Sequence, residues 1–260
     1  MGAEGRVLVT RPAGQADGLI RALREAGWQT RHLPLLSIEP IEPLDAVMRQ
    51  RILDLDRYDH LIFVSANAAR IGCERIEELW PQWPVGQRYW AVGRSTAQLL
   101  ARAGLAATCP EVDMSSEGLL ALAGLDGVGG QRCLLVRGEG GRTLIADTLR
   151  ERGAEVDDLC CYRRRPVAYG EAELAAVRDG SPDLLLVSSG EGLERLSGLL
   201  KPREHTNLAG ATLLVPSARV AKVAESLGWR DVQTVENASD VAMLAAVEHW
   251  RRRCRGEARQ

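Results

Sequence analysis

The sequence states the same pattern twice, and that repeat limits what the chain can fold into. The stretch VLVTRPAGQADGLIRALREAG (Val7 to Gly27) is echoed by CLLVRGEGGRTLIADTLRERG (Cys133 to Gly153). Each begins as an apolar run, passes an Arg and a Gly-containing turn, and enters a helical pattern that stops at Gly. Arg11 and Arg137 lie 126 residues apart, as do Gly27 and Gly153, and Pro40 and Pro166. The echo goes on through DHLIFVSANA (Asp59 to Ala68) and DLLLVSSGEG (Asp183 to Gly192), with Ser65 and Ser189 124 residues apart. WAVGRSTAQLLARAG (Trp90 to Gly104) pairs with LVPSARVAKVAESLG (Leu214 to Gly228), and SSEGLLALA after Ser115 pairs with SDVAMLAAV after Ser239. One Gly helix stop matches by chance easily, whereas several segments in one order at one spacing indicate two copies of a unit of about 125 residues.

Short apolar runs alternating with helical patterns read as strands buried on both faces, and therefore as parallel sheets with right-handed crossovers. In such sheets ligands gather where loops leave the carboxyl ends of the strands. The loops at those places are TRPAGQ, SANA, VGRST, RGEGGR, SSGEG and PSAR. Their candidate contacts are Thr10, Arg11, Ser65, Ala66, Asn67, Gly93, Thr96, Arg137, Gly138, Ser189 and Ser217, with Ser115 heading a further helix. Backbone N–H groups at a helix N-terminus beside a hydroxyl favour an anion. The competing reading is that each Ser or Thr only caps its helix. RGEGGR matches neither the phosphate-binding pattern G-x-x-x-x-G-K-[ST] nor G-x-G-x-x-G, so no nucleotide is implied. Arg137 and Arg142 are expected to pair with Glu139 or Glu151 where they do not meet a ligand.

The remaining features narrow the function by exclusion. At 260 residues, 45% hydrophobic, the chain has material for two cores, and a net charge of −2 gives no nucleic-acid footprint. No apolar run approaches the ~18 residues of a membrane span, and the opening MGAEGRVLVTRP has no signal-peptide layout, so a cytoplasmic protein is expected. The six cysteines contain no C-x-x-C, and Cys133 and Cys160 are expected in buried strands. The four histidines stand singly, which argues against a metal site or a His-centred triad. His60, just before an apolar run, reads as a surface or packing residue. The basic run Arg251 to Arg253 reads as a solvated helix end or frayed tail.

Taken in order, VLVTRP, FVSANA, AVGRSTAQLLARAG, SSEGLL, LLVRGEGGRTLIADTLRERGAEV and the following CYRR resemble the uroporphyrinogen-III synthase family over nearly the whole chain. The resemblance implies two similar parallel-sheet α/β domains facing a cleft and joined by a two-stranded β connection. The first is discontinuous, residues 1–36 with 167–260; the second is 41–161; residues 37–40 and 162–166 are the connecting strands. Each domain then draws on both copies of the repeat. The implied reaction is the dehydrative cyclisation of hydroxymethylbilane to uroporphyrinogen III with inversion of the terminal pyrrole ring, and it needs no cofactor and no metal. The implied partner is this linear tetrapyrrole polycarboxylate, with transient contact to the preceding pathway enzyme, and the protein is expected to be a hinged monomer.

Carried over residue by residue, Tyr162 matches the family's Tyr and becomes the first candidate to assist loss of the substrate hydroxyl, against the reading that it merely packs. Thr96 matches the Thr of the family's Gly-containing turn that begins at Gly93. Ser65, Ala66 and Asn67 fall on the family's Ser loop, and Arg137 with Gly138 on its Arg-Gly loop. The second copy departs from the pattern, with Ser217 where Gly93 stands in the first and Val220 where Thr96 stands. A non-catalytic alternative also fits two α/β lobes: a cytoplasmic anion or small-molecule sensor.

Overall fold

Four-residue runs such as RVLV and HLIF have no polar face, so they are stable only with helices on both sides of a sheet. The computed structural model describes residues 5–201, 208 and 210–257, and these runs are its central strands. In chain order the elements are β1 (Arg6–Val9), α1 (Asp17–Glu25), β2 (Gln29–His32), β3 (Leu36–Pro40), α2 (Ala46–Leu53), β4 (His60–Phe63), α3 (Ala66–Glu77), β5 (Arg88–Ala91), α4 (Arg94–Arg102), β6 (Ala107–Thr108) and α5 (Ser116–Leu120). There follow β7 (Arg132–Gly138), α6 (Leu144–Glu151), β8 (Glu155–Pro166), α7 (Glu171–Asp179), β9 (Leu184–Leu186), α8 (Gly190–Leu200), β10 (Thr212–Val215), α9 (Ala218–Leu227), β11 (Asp231–Thr234) and α10 (Asp240–Glu257).

The chain divides into two units, Met1–Ser37 with Arg165–Gln260, and Ile38–Arg164. It passes from one to the other inside β3 and again inside β8. These two strands run antiparallel. The Ile41 N–H donates to the Cys161 carbonyl and the Val167 N–H to the Leu35 carbonyl, so the residue numbers rise on one strand as they fall on the other.

The first unit carries a five-stranded parallel sheet in the order β11-β10-β9-β1-β2. Alternate residues of each strand feed opposite cores. Val7, Val9, Leu184, Leu186 and Leu214 pack with Leu19, Leu23, Met243 and Val247 of α1 and α10. Leu8, Leu185, Leu213 and Val215 pack with Leu174, Leu193, Leu196 and Val220 of α7, α8 and α9.

In the second unit, β8-β7-β4-β5-β6 form a parallel array to which β3 adds at the β8 edge. Leu61, Phe63, Leu134 and Val136 pack against α3 and α4, whereas Ile62, Cys133 and Leu135 pack against α5 and α6. Helix α3 approaches β7 so closely that a Cβ on Gly72 would fall 2.3 Å from a Val136 methyl, and only Gly fits there. The helices ending at Gly27 and Gly153 stop on backbone with φ of +79° and +86°, the left-handed geometry expected of both repeat copies.

Each sheet therefore combines strands from both copies: β1 and β2 with β9 to β11 in one, β7 and β8 with β4 to β6 in the other. Chain direction across the sheet reverses at β1/β9 and at β7/β4. Those are the two switch points where loops can open around a ligand.

Candidate active site

At the β7/β4 switch point, the loop after β4 ends in Ser65, whose backbone is extended and whose Oγ accepts from the Ala68 N–H at 3.1 Å, capping α3. The same oxygen lies 3.1 Å from the phenolic oxygen of Tyr162 on β8. Tyr162 is only 3% exposed, packed in the core on the α3 face. Next to it Gly138 ends β7, with its backbone against the Tyr162 ring. Ser65, Tyr162 and Gly138 thus meet at one point, as a buried phenol beside a partly exposed hydroxyl at the head of a helix. Ala66 and Asn67 form the first turn of that helix and are partly exposed.

Arg137 differs from its expected part. It is 9% exposed, and its guanidinium donates to the carbonyls of Gly140 (2.6 Å) and Arg142 (3.1 Å) and to the Asp158 carboxylate (3.3 Å). A strand position pointing into the sheet's flank leaves this Arg no water-exposed end, so it braces the β7–α6 loop from inside. Its acidic partner is Asp158, and Glu139 instead pairs with Arg163. The exposed cation of the loop is Arg142, whose side chain is 56% exposed and which pairs with Glu117 at 2.7 Å. Glu117 is held below the usual carboxylate range, first by its own backbone N–H at the start of α5 and then, against partial desolvation, by Arg142. The sequence set Arg142 beside Arg137 as a partner for Glu139, Glu151 or a ligand, and nothing in the letters distinguished the buried Arg from the exposed one.

Other expected contacts fall in three groups. Ser115, Ser189 and Ser217 cap their helices, each accepting from a backbone N–H three residues on. Capping thus accounts for all three hydroxyls as acceptors, and the Ser115 hydroxyl also meets the Glu117 carboxylate. Gly93 heads α4 and has no side chain to cap it, so no N-cap side chain accepts from the N–H groups of that first turn. Thr96, 2% exposed, sits in the same turn. In the first unit, the Thr10 hydroxyl donates to the Leu186 carbonyl at 2.7 Å and ties β1 to β9. Arg11 pairs with Asp240, reaches the Ala238 carbonyl and bonds the Ser188 hydroxyl at 3.2 Å, so it holds the start of α10. Both residues are structural partners of their own unit here.

Buried cysteines flank the site without joining it. Burial pushes the thiols of Cys161, Cys133 and Cys73 up to about 12. At neutral pH these are neutral side chains, unsuited to nucleophilic attack. Cys160, expected to be buried, is half-buried, and its neighbour Cys161 takes the core position. His60 is fully buried: its Nδ1 accepts from the Trp90 indole at 2.9 Å and its Nε2 meets Gln131 at 2.7 Å. Among the described residues, no group of three or more His, Cys, Asp and Glu could hold a metal ion.

A family model described as Uroporphyrinogen-III synthase HemD matches residues 17–245. The uroporphyrinogen-III synthase of Escherichia coli is 37% identical over 247 residues, covering 93% of this chain and 99% of that protein. The chain belongs to the uroporphyrinogen-III synthase family. The Salmonella typhimurium member of that family is 35% identical, with 93% of this chain and 99% of that protein covered. A uroporphyrinogen III synthase structure from Thermus thermophilus superposes with a TM-score of 0.65 over 97% of this chain and 99% of the other, at 17% identity. At that identity the structural likeness speaks to the fold alone: α/β with parallel sheets. Membership makes the protein an enzyme, a lyase of tetrapyrrole biosynthesis. No described helix is long and apolar enough to cross a membrane.

Proposed function

We infer that this chain converts hydroxymethylbilane to uroporphyrinogen III and that the chemistry is centred on the Tyr162–Ser65 pair. The observation that carries the reading is the buried phenol held 3.1 Å from the Ser65 hydroxyl at the head of α3. The substrate must lose its hydroxymethyl oxygen as water, leaving an electrophilic azafulvene. A phenol that shares a hydrogen bond with Ser65 is able to donate one to the departing oxygen, while the positive end of α3 favours negative charge building there. The terminal ring then attacks through its substituted carbon to form a spiro intermediate, which fragments and recloses with that ring reversed. Every step rearranges bonds within the substrate, so no cofactor enters.

The eight carboxylates of the substrate require donors rather than an apolar slot. In the second unit these are the uncapped first turn of α4 with Gly93 and Thr96, the helix heads at Asn67 and Ser115, and Arg142 exchanging Glu117 for a substrate carboxylate. Helix heads at Ser189 and Ser217 in the first unit offer the same chemistry. Arg137 contributes by holding the loop that presents Arg142. We further take the enzyme to act in the cytoplasm as a monomer, which gel filtration against size standards checks.

Hydroxymethylbilane incubated with the protein and then oxidised should yield mainly the type III porphyrin, resolved from type I by chromatography. Type I alone, at the rate seen without protein, would instead identify a sensor that binds and does not rearrange.

A further inference from the structure

Strand alternation ought to turn Tyr162 away from Ser65. On β7, Cys133 and Leu135 lie in the core beneath α5 and α6, and Leu134 and Val136 in the core beneath α3. Its parallel partner β8 begins in phase, pairing Leu159 with Val136, and Leu159 lies in the α3 core. Strict alternation from Leu159 would put Cys161 on the α3 face and Tyr162 on the opposite one. Instead Arg137 pairs with Cys160 and Gly138 with Tyr162, so Cys161 is an extra residue. Cys161 and Tyr162 are consecutive, both buried, and both in the α3 core. A one-residue slip moves a side chain to the other face of a sheet, and a bulge does so locally.

The bulge is fixed from three sides. The Cys161 carbonyl accepts from the Ile41 N–H at 2.9 Å, and the Tyr162 carbonyl accepts from the Glu139 N–H at 2.8 Å. The Cys161 thiol, neutral because burial raises its pKa, donates to the Arg137 carbonyl at 3.4 Å. Gly138 completes the seat. A Cβ built there would stand 2.6 Å from both Cε2 and Cζ of the Tyr162 ring. The φ of Gly138 is not positive, so space and not backbone geometry demands Gly.

We propose that the bulged Cys161 and the side-chain-free Gly138 are positioning residues for the reaction, re-aiming the Tyr162 phenol onto Ser65 and fixing it there. The role in catalysis rests on the reading of Tyr162 given above; the aiming does not. Neither residue touches substrate, so both act through the phenol.

The test combines a spectrum with a kinetic cycle. Fluorotyrosine incorporation gives one fluorine resonance per tyrosine, and the chain has four, so Tyr162→Phe identifies the one of interest. Gly138→Ala should move that resonance and leave the other three. It should lower kcat by the same factor as Tyr162→Phe, with KM little changed; a misplacement of about 1 Å costs on the order of 10²-fold. In the double variant Gly138→Ala/Tyr162→Phe, kcat should be no lower than in Tyr162→Phe alone. An unmoved resonance, or losses that multiply in the double variant, would overturn the proposal. Should Gly138→Ala fail to fold, Gly138→Ala/Tyr162→Leu removes the ring it collides with and must restore folding, and continued failure overturns the proposal equally. If Tyr162→Phe leaves kcat intact while Gly138→Ala still moves the resonance, the assisting role of Tyr162 is what fails, and the aiming stands.

Discussion

Replacing Arg137 by Met decides whether this residue binds substrate or braces the loop. Met keeps an apolar stem and removes only the guanidinium. Three hydrogen bonds disappear, to the carbonyls of Gly140 and Arg142 and to Asp158. Both carbonyls belong to exposed residues that water can reach, so each loss is worth about 1 kcal/mol, short of the cost of a buried orphan. Asp158 is one-third exposed, which limits that pair to roughly 0.5–1 kcal/mol. Together the variant should lose about 2–3 kcal/mol. Urea titration read by tryptophan fluorescence reports it as a lower midpoint, and an unchanged m-value shows that stability and not compactness changed. KM for hydroxymethylbilane should stay within about twofold, because 0.4 kcal/mol or less of binding is then at stake. An unaltered midpoint together with a KM raised tenfold or more would show that Arg137 meets the substrate, and the bracing account would be wrong.

Further expectations concern the rest of the site. Arg142→Ala should shift stability by no more than about 0.5 kcal/mol, since its ion pair is exposed, yet raise KM at low salt; a KM effect that persists undiminished in high salt would point to something other than charge. Tyr162→Phe and Thr96→Ala, made singly, should each lower kcat while type III porphyrin remains measurable, because orientation of the terminal ring carries more of the barrier, up to ~7–11 kcal/mol, than one proton donor. Complete loss of type III in either folded variant would identify one indispensable acid. Alkaline stability should reflect the buried thiols. An unfolded thiol ionises near about 8.5 while that of Cys161 is pushed up to about 12, so its contribution is intact below the first value and is lost as pH rises toward the second. Between pH 9 and 12 each such thiol should steepen the decline by up to about 1.4 kcal/mol per pH unit, and Cys161→Ala should flatten it by one such increment; parallel slopes for the two proteins would contradict the assignment.

Much of the architecture was legible because the repeat fixed element type and order. Gly stops and Ser caps are local signals, and Ser65, Ser115, Ser189 and Ser217 all cap where expected. Side-chain direction was not legible. Arg137 follows an apolar run as Arg11 does, and its letters say nothing of the Asp158 carboxylate it reaches across the sheet. The run LCCYRR reads as an unbroken strand, and only pairing with β7 reveals the extra residue. Arg251 belonged to an expected solvated end, yet its guanidinium lies over the Trp28 ring, 4.1 Å from the centroid, and donates to the Ala26 carbonyl. Such contacts join residues more than 200 positions apart, beyond what periodicity can report.

The exchange of strands between the two copies sets an order on biosynthesis. β1 is an inner strand whose Val7, Leu8 and Val9 are almost wholly buried, yet its neighbour β9 begins only at Leu184. A ribosome has therefore made the whole of Ile38–Arg164 before the opening strand gains its second partner. Domains tend to fold as they emerge, so the inserted unit is complete while the first βα segment still waits with its apolar strand unpaired on one side. A gene cut at the repeat boundary yields two halves, neither of which holds all the strands of either sheet. A gene cut at Ile38 and Arg164 yields one continuous segment that carries the five parallel strands of its own sheet.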